Sequence, residues 1–131
     1  MGLFNEKLRI MSRKLIHNPN HCPMIHATNI IGNKWAPIII YVLGERKLRF
    51  GQLAVFVEGI SRKVLTEQLK ELEQKEVVKR ESFAEVPPRV EYSLTERGKE
   101  LLPILSQLCV WGSGINEDRE DEKIIEVKKS V

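Results

Sequence analysis

Apolar residues recur every three or four positions along most of this chain, give way to alternation over one short stretch, and then return to helical spacing. Phe4, Leu8, Met11 and Leu15 share one stripe, so residues 3–16 are expected to form an amphipathic helix that needs a surface to cover. Asn18-Pro19-Asn20 breaks it. Cys22-Pro23 puts proline at the first helical position, with Cys22 as N-cap of a short helix ending at Gly32. A helix from about Asn33 to Gly44, with Pro37 in its first turn, is apolar nearly all round and is expected at the centre of the core. Phe50, Leu53, Ala54 and Phe56 mark a third helix. Val57-Glu58-Gly59-Ile60 forms a turn whose glycine can take positive φ. Next comes GISRKVLTEQLKELEQ, with Ser61 as N-cap and a seam of Leu65, Leu69 and Leu72. Two helices joined by a tight turn, both turning apolar faces to one core, describe a helix-turn-helix.

After Lys75-Glu76 the period falls to two. Residues 78–83 and 90–94 read as strands, separated by a loop that Pro87 and Pro88 stiffen. Thr95 then caps a last long helix with an apolar stripe of Leu101, Ile104, Leu105, Leu108 and Trp111, ending at Gly112-Ser113-Gly114. The expected fold is mainly α with a small two- or three-stranded antiparallel wing, a winged helix-turn-helix. Residues 1–20 are expected to be an N-terminal extension, 21–114 the DNA-binding and dimerisation domain, and 115–131 a charged tail.

Charge sharpens this picture. Of the net +3, residues 115–131 carry −2, leaving +5 on residues 1–114. From Arg46 to Lys63 there are five bases and one acid, a local balance suited to a polyanion. The helix dipole already makes the entrance of the helix after Ser61 positive, so Arg62 and Lys63 there call for an anion from outside the chain. On a helical wheel Lys63, Thr66, Glu67 and Lys70 oppose the leucine seam, with Arg62 at the flank. Such a face can enter a DNA major groove, which admits one helix and is read by side chains near its N-terminus. Ser61, Arg62, Lys63, Thr66 and Lys70 are therefore candidates on this helix. Arg46, Lys47, Arg49 and Gln52, around the preceding helix, are candidates for phosphate contact. Arg89 on the wing is a candidate for a neighbouring minor groove, and Lys79 and Arg80 stay open because alternation turns one of them inward. Glu67 either accepts from cytosine or repels phosphate. Winged helices also serve as protein–protein interaction modules, so that reading stays open.

The stretches CPMIHATNIIGNKW, LRFGQL, GISRKVLTEQLKELE, VVKRESFAEVPPRVEYSLTERGKELLPIL and LCVWG resemble the HxlR-type winged helix-turn-helix transcriptional regulators of bacteria. They span Cys22 to Gly112, about seven tenths of the chain. The resemblance implies a DNA-binding homodimer acting on a palindromic operator, expected to be a repressor and joined through the first and last helices. Leu8, Met11, Leu15, Leu101, Leu105, Leu108 and Trp111 are the candidate dimer residues. Their stripes also offer more apolar surface than one small body can cover unless an unpaired helix folds back on its own chain, an argument independent of family. Some family members sense electrophiles or oxidants through a cysteine placed like Cys22, and a thiol at a helix N-terminus has greater thiolate character. Cys109 is expected to be a core residue. The chain departs from the family at Glu76, where glycine is common, and at Arg46-Lys47-Leu48, where Gly-Pro commonly precedes the basic pair.

Other classes find little support. No Gly-rich phosphate loop, paired carboxylates in an apolar setting or nucleophile motif points to an enzyme. His17, His21, Cys22 and His26 resemble a metal cluster, but Asn18-Pro19 interrupts the helix they would share, so no metal or cofactor is expected. Two cysteines, no apolar run long enough to span a bilayer and a charged start point to a cytoplasmic chain without a membrane partner. Glu6 occupies the position where a myristoylation motif needs Ser or Thr.

Overall fold

The computed structural model describes residues 21–115. Its elements are α1 (Pro23–Ile31), α2 (Ala36–Leu43), α3 (Phe50–Phe56), α4 (Arg62–Gln74), β1 (Val78–Phe83), β2 (Arg89–Leu94), α5 (Glu96–Lys99) and α6 (Leu101–Ile115). The expected residues 3–16 helix and the 116–131 tail lie outside the described residues. Pro23 stands at the start of α1, and Cys22 takes the extended N-cap conformation without offering a side-chain cap. Gly32 closes α1 so tightly that a Cβ there would lie 2.1 Å from the Thr28 carbonyl oxygen.

The Asn33 side-chain oxygen accepts from the backbone N–H groups of Trp35 (2.9 Å) and Ala36 (2.8 Å), opening α2 later than its apolar run suggests. Ala36, Ile39, Ile40 and Leu43 are buried, whereas Ile38 and Tyr41 are exposed. The helix expected to be central therefore lends only one face to the core and leaves an apolar flank outside.

Leu48 exchanges two backbone hydrogen bonds with Tyr92, at 2.9 and 2.8 Å, adding a one-residue stub beside the two-stranded β1–β2 sheet. Pairing runs from Val78 opposite Leu94 to Phe83 opposite Arg89. Val78, Arg80 and Ser82 consequently share one face with Val90, Tyr92 and Leu94. Lys79, Glu81 and Phe83 share the other with Arg89, Glu91 and Ser93. Arg89 begins β2 and does not sit in the loop, one residue earlier than alternation had marked.

In α4 the Ser61 hydroxyl accepts from the Val64 N–H at 3.1 Å, and Leu65, Leu69 and Leu72 are buried. Gly59, in the preceding turn, has φ 85°. The exit of α4 is a complete left-handed cap: Glu76 N–H bonds the Glu73 carbonyl (3.0 Å) and Val77 N–H bonds that of Leu72 (2.9 Å). Glu76 holds φ 60°, so the backbone bends as glycine would bend it. The Thr95 hydroxyl donates to the Glu76 carbonyl at 2.6 Å, the Thr95 N–H donates to that of Val77 at 3.0 Å, and the hydroxyl oxygen accepts from Gly98 N–H at 3.0 Å. A Cβ at Gly98 would lie 2.2 Å from the Val77 carbonyl oxygen.

The last helix is expected to be continuous from Thr95, but the structure splits it into α5 and α6 at Glu100. Pro103 has no N–H to give the Lys99 carbonyl, which removes the hydrogen bond that would join the two segments. Helix α6 continues through Gly112 and Gly114 to Ile115, the last described residue.

Two stability outcomes follow. Glu76→Gly should raise unfolding free energy by about 0.5–1 kcal/mol, since relief of roughly 1–2 kcal/mol of left-handed strain outweighs the added unfolded-chain entropy. Gly98→Ala should lower it by about 1–3 kcal/mol, because the added methyl meets backbone rather than a yielding side chain. Urea unfolding of the two variants beside the parent measures both.

Candidate nucleic-acid interface

Helix α4 turns its leucine seam inward, and Arg62, Lys63, Thr66, Glu67 and Lys70 are all exposed on the remaining surface. The structure thus brings the five sequence-derived candidates from Ser61 to Lys70 onto one helix entrance and one face. Thr66 donates its hydroxyl hydrogen to the Arg62 carbonyl at 2.8 Å, which leaves its oxygen lone pairs and methyl outward. Ser61 uses its oxygen in the cap and keeps its hydrogen to donate.

Helix α3 is set similarly. The Gln52 side-chain oxygen accepts from Arg49 N–H at 2.9 Å, closing one orphan donor of the first turn and leaving the Gln52 amide NH2 outward. Arg46 lies over the Phe56 ring at 4.7 Å and donates from Nε to the Val42 carbonyl at 3.1 Å. Arg62 lies 5.7 Å from the Phe50 ring. Aromatic faces orient these two guanidinium groups without neutralising them. Phe56, taken from its spacing as a core residue, is exposed and serves Arg46.

Pairing divides the basic residues into two groups. Lys79 and Lys47 both reach Glu81, at 3.1 and 3.6 Å, and Lys75 reaches Glu71 at 3.1 Å. Lys99 lies 3.5 Å from both Glu45 and Glu96. The Lys79 hydrogen bond, with the charge of Lys47, holds the Glu81 carboxyl below the usual carboxylate range. Among the described residues, Arg46, Arg49, Arg62, Lys63, Lys70 and Arg80 have no such carboxylate partner, and neither do Lys34 and Arg97 outside the helix-turn-helix and wing. The helix-turn-helix therefore keeps its positive charge available, while most of the lysines around it are compensated.

Two candidates are placed differently from the rest. Lys47 is tied to the outer face of the wing through Glu81. Arg89 lies between Glu85 and Glu91, each at 3.4 Å, with its guanidinium 4.1 Å from the centre of the Phe83 ring. Arg80, which alternation had left open together with Lys79, is the wing cation without a carboxylate among the described residues. Its signal was present in the alternation from buried Val78, which puts Arg80 on the core-facing side.

The candidate dimer residues also separate. Leu105 is 3% exposed and Leu101 packs on the same core, so both serve the chain's own interior; the α2 side against which α6 packs already covers them. Leu108 at 47% and Trp111 at 71% are exposed, as are Ile104, Val110 and Ile115. Leu8, Met11 and Leu15 lie outside the described residues. Between α2 and α6 runs an apolar groove of about 370 Å³ lined by Pro37, Ile38, Tyr41, Val42, Leu105, Leu108 and Cys109. Cys109, expected in the core, is exposed there because α6 turns that side away from the leucine and isoleucine cluster; Cys22 is 7% exposed.

A helix-turn-helix followed by a paired wing, with cations along the second helix that have no carboxylate partner among the described residues, defines a winged-helix DNA-binding protein. Residues 30–120 match the family model described as HxlR-like helix-turn-helix, and the chain belongs to that family. An uncharacterized HTH-type transcriptional regulator of Methanothermobacter thermautotrophicus is 42% identical over 104 residues, covering 78% of this chain and 79% of that protein. Another from Halalkalibacterium halodurans is 45% identical over 98 residues, covering 74% and 87%. Among solved structures, the redox regulator HypR in its oxidized form matches with a TM-score of 0.67 at 42% identity, covering 71% of this chain and 96% of that one. Diamide-treated YodB from Bacillus subtilis matches with a TM-score of 0.62 at 38% identity, covering 71% and 93%. The chain is a transcriptional regulator rather than an enzyme.

Replacing Ser61 by alanine removes the α4 cap and should lower stability by about 1 kcal/mol. A thermal melt of Ser61→Ala reads it directly, and an unchanged melt would contradict the cap.

Proposed function

We propose that this regulator is a homodimeric repressor that binds a palindromic operator through the outer face of α4. The observation that carries the reading is the set of cations at the mouth of α4, Arg62 and Lys63, lying at a dipole that is already positive and lacking a carboxylate partner among the described residues. DNA phosphates and guanine acceptors supply the missing anion. Arg46, Arg49 and Gln52 hold phosphates around α3, Ser61, Arg62, Lys63, Thr66 and Lys70 meet the groove, Glu67 restricts which bases are accepted, and Lys47 stays with Glu81 on the wing. Arg89 stiffens the wing. Two subunits joined through the exposed Leu108–Trp111 face would present two α4 helices to half-sites about 34 Å apart. Such a regulator works in the cytoplasm.

The double variant Arg62→Ala, Lys63→Ala should lose retention of a selected genomic fragment in a gel shift, with its melting temperature within a degree or two of the parent. Undiminished retention would remove the recognition role of α4. A protein-binding role for the same face would instead show affinity nearly independent of salt, because no condensed counterions are released.

Redox control through Cys22 is favoured by one specific observation, the likeness to HypR and YodB, proteins whose structures were determined as oxidized, reduced or diamide-treated forms. Cys22 is shielded at the start of α1, so an oxidant acting there would disturb the packing of that helix. Diamide should weaken DNA retention by the parent and by Cys109→Ser, while leaving Cys22→Ser unaffected; equal loss in all three would reject the role of Cys22.

A further inference from the structure

We propose that the wing reaches DNA phosphate through Arg80, and that Arg89 is a structural brace. This rests on the DNA-docking reading above and assigns the wing contact within it. The β1–β2 ribbon has two unlike faces. The outer face carries Glu81 and Glu91 directly opposite each other, with Lys79 and Arg89 beside them. Glu85, in the loop before Arg89, adds a third carboxylate to that side through its ion pair. A phosphate approaching there meets acids whose cations are already engaged.

The other face carries Val78, Arg80, Ser82, Val90, Tyr92 and Leu94, and none of these is acidic. Its base belongs to the side of the recognition helix, since Val78 and Leu94 lie in one core with Leu65, Leu69 and Leu72. Past that core the ribbon continues with Arg80, which is exposed and whose guanidinium donates to the Ser82 hydroxyl at 3.2 Å. A hydroxyl is readily exchanged for a phosphate oxygen, and no buried group is left unpaired by the exchange.

Arg89 is in the opposite position. Its side chain is 29% exposed, it lies over Phe83, and two carboxylates flank it. Its Nε is buried without an aligned acceptor, although the Glu91 oxygen is 3.4 Å away. Moving Arg89 to a phosphate would leave Glu85 and Glu91 uncompensated beside a polyanion. The arginine that holds the base of the loop is thus unsuited to leave it.

The test is fluorescence anisotropy with one labelled duplex, selected from genomic fragments by the unaltered protein and titrated over a series of salt concentrations. Neutralising one phosphate contributes about 0.9 to the slope of log affinity against log salt, which is on the order of tenfold in affinity at 0.1 M salt. In a dimer each subunit contributes, so Arg80→Ala should reduce the slope by about one to two with an unchanged melt, and Arg80→Lys should restore it. Arg89→Gln should keep the parent slope while lowering the melting temperature. An Arg80→Ala slope equal to the parent's, or a lost increment in Arg89→Gln with Arg80→Ala intact, would overturn the assignment while leaving DNA docking by α4 standing. A parent protein whose affinity ignores salt would overturn the docking reading itself.

Discussion

The fold depends on the junction where the recognition helix ends and the last helices begin. There Thr95 holds the carbonyls of Glu76 and Val77, caps Gly98, and brings a glycine against a peptide that tolerates no side chain. Two chain segments well separated in sequence meet at this point: the exit of α4 running into β1, and the passage from β2 into α5. Each carries backbone groups that would otherwise be unsatisfied in a half-buried place. Helix α4 and the wing are consequently one rigid unit. The Leu48–Tyr92 pairing attaches the segment before α3 to the same sheet, so α3, α4 and the wing refer to one frame. Preorganisation of this kind lets a modest number of cations give register as well as attraction.

Charge follows the same division. Carboxylates are distributed so that Lys47, Lys75, Lys79 and Lys99 are paired, while Arg46 and Arg49 before α3 and Arg62, Lys63 and Lys70 on α4 lack such partners among the described residues. Screened surface pairs contribute little to stability, typically about 0–1 kcal/mol each, so their arrangement is better understood by where it leaves positive potential. Aromatic rings under Arg46 and Arg62 serve that arrangement, fixing direction while preserving charge.

Much of this was legible in the sequence because the signals are local. The leucine spacing of α4, its Ser61 cap and the positive φ of Gly59 all follow from residues within one turn of each other. The wing emerged from the change of period after Glu76, and the exposed basic face of α4 from the side opposite the seam. Features set by long-range contact were not legible. Whether Leu105 faces its own core or a partner depends on how α6 lies against α2, and the same packing exposes Cys109. Sheet register places Arg89 and Arg80 on opposite faces of the ribbon and sets Phe83 under Arg89, whereas its partners Glu85 and Glu91 lie within four residues of it and were a local signal. The break at Glu100 could have been read from Pro103, but the apolar stripe running through it masked that local signal.

The central claim is that DNA meets the entrance and outer face of α4. Backbone amide shifts in a nitrogen-15 labelled sample, followed as a selected operator duplex is added, test it at residue level. The account predicts that the largest changes fall on Ser61 to Thr66, with smaller ones on Arg49 to Gln52 and on Arg80. Changes confined to the α2–α6 groove, with the amides of α4 unmoved at saturation, would contradict it.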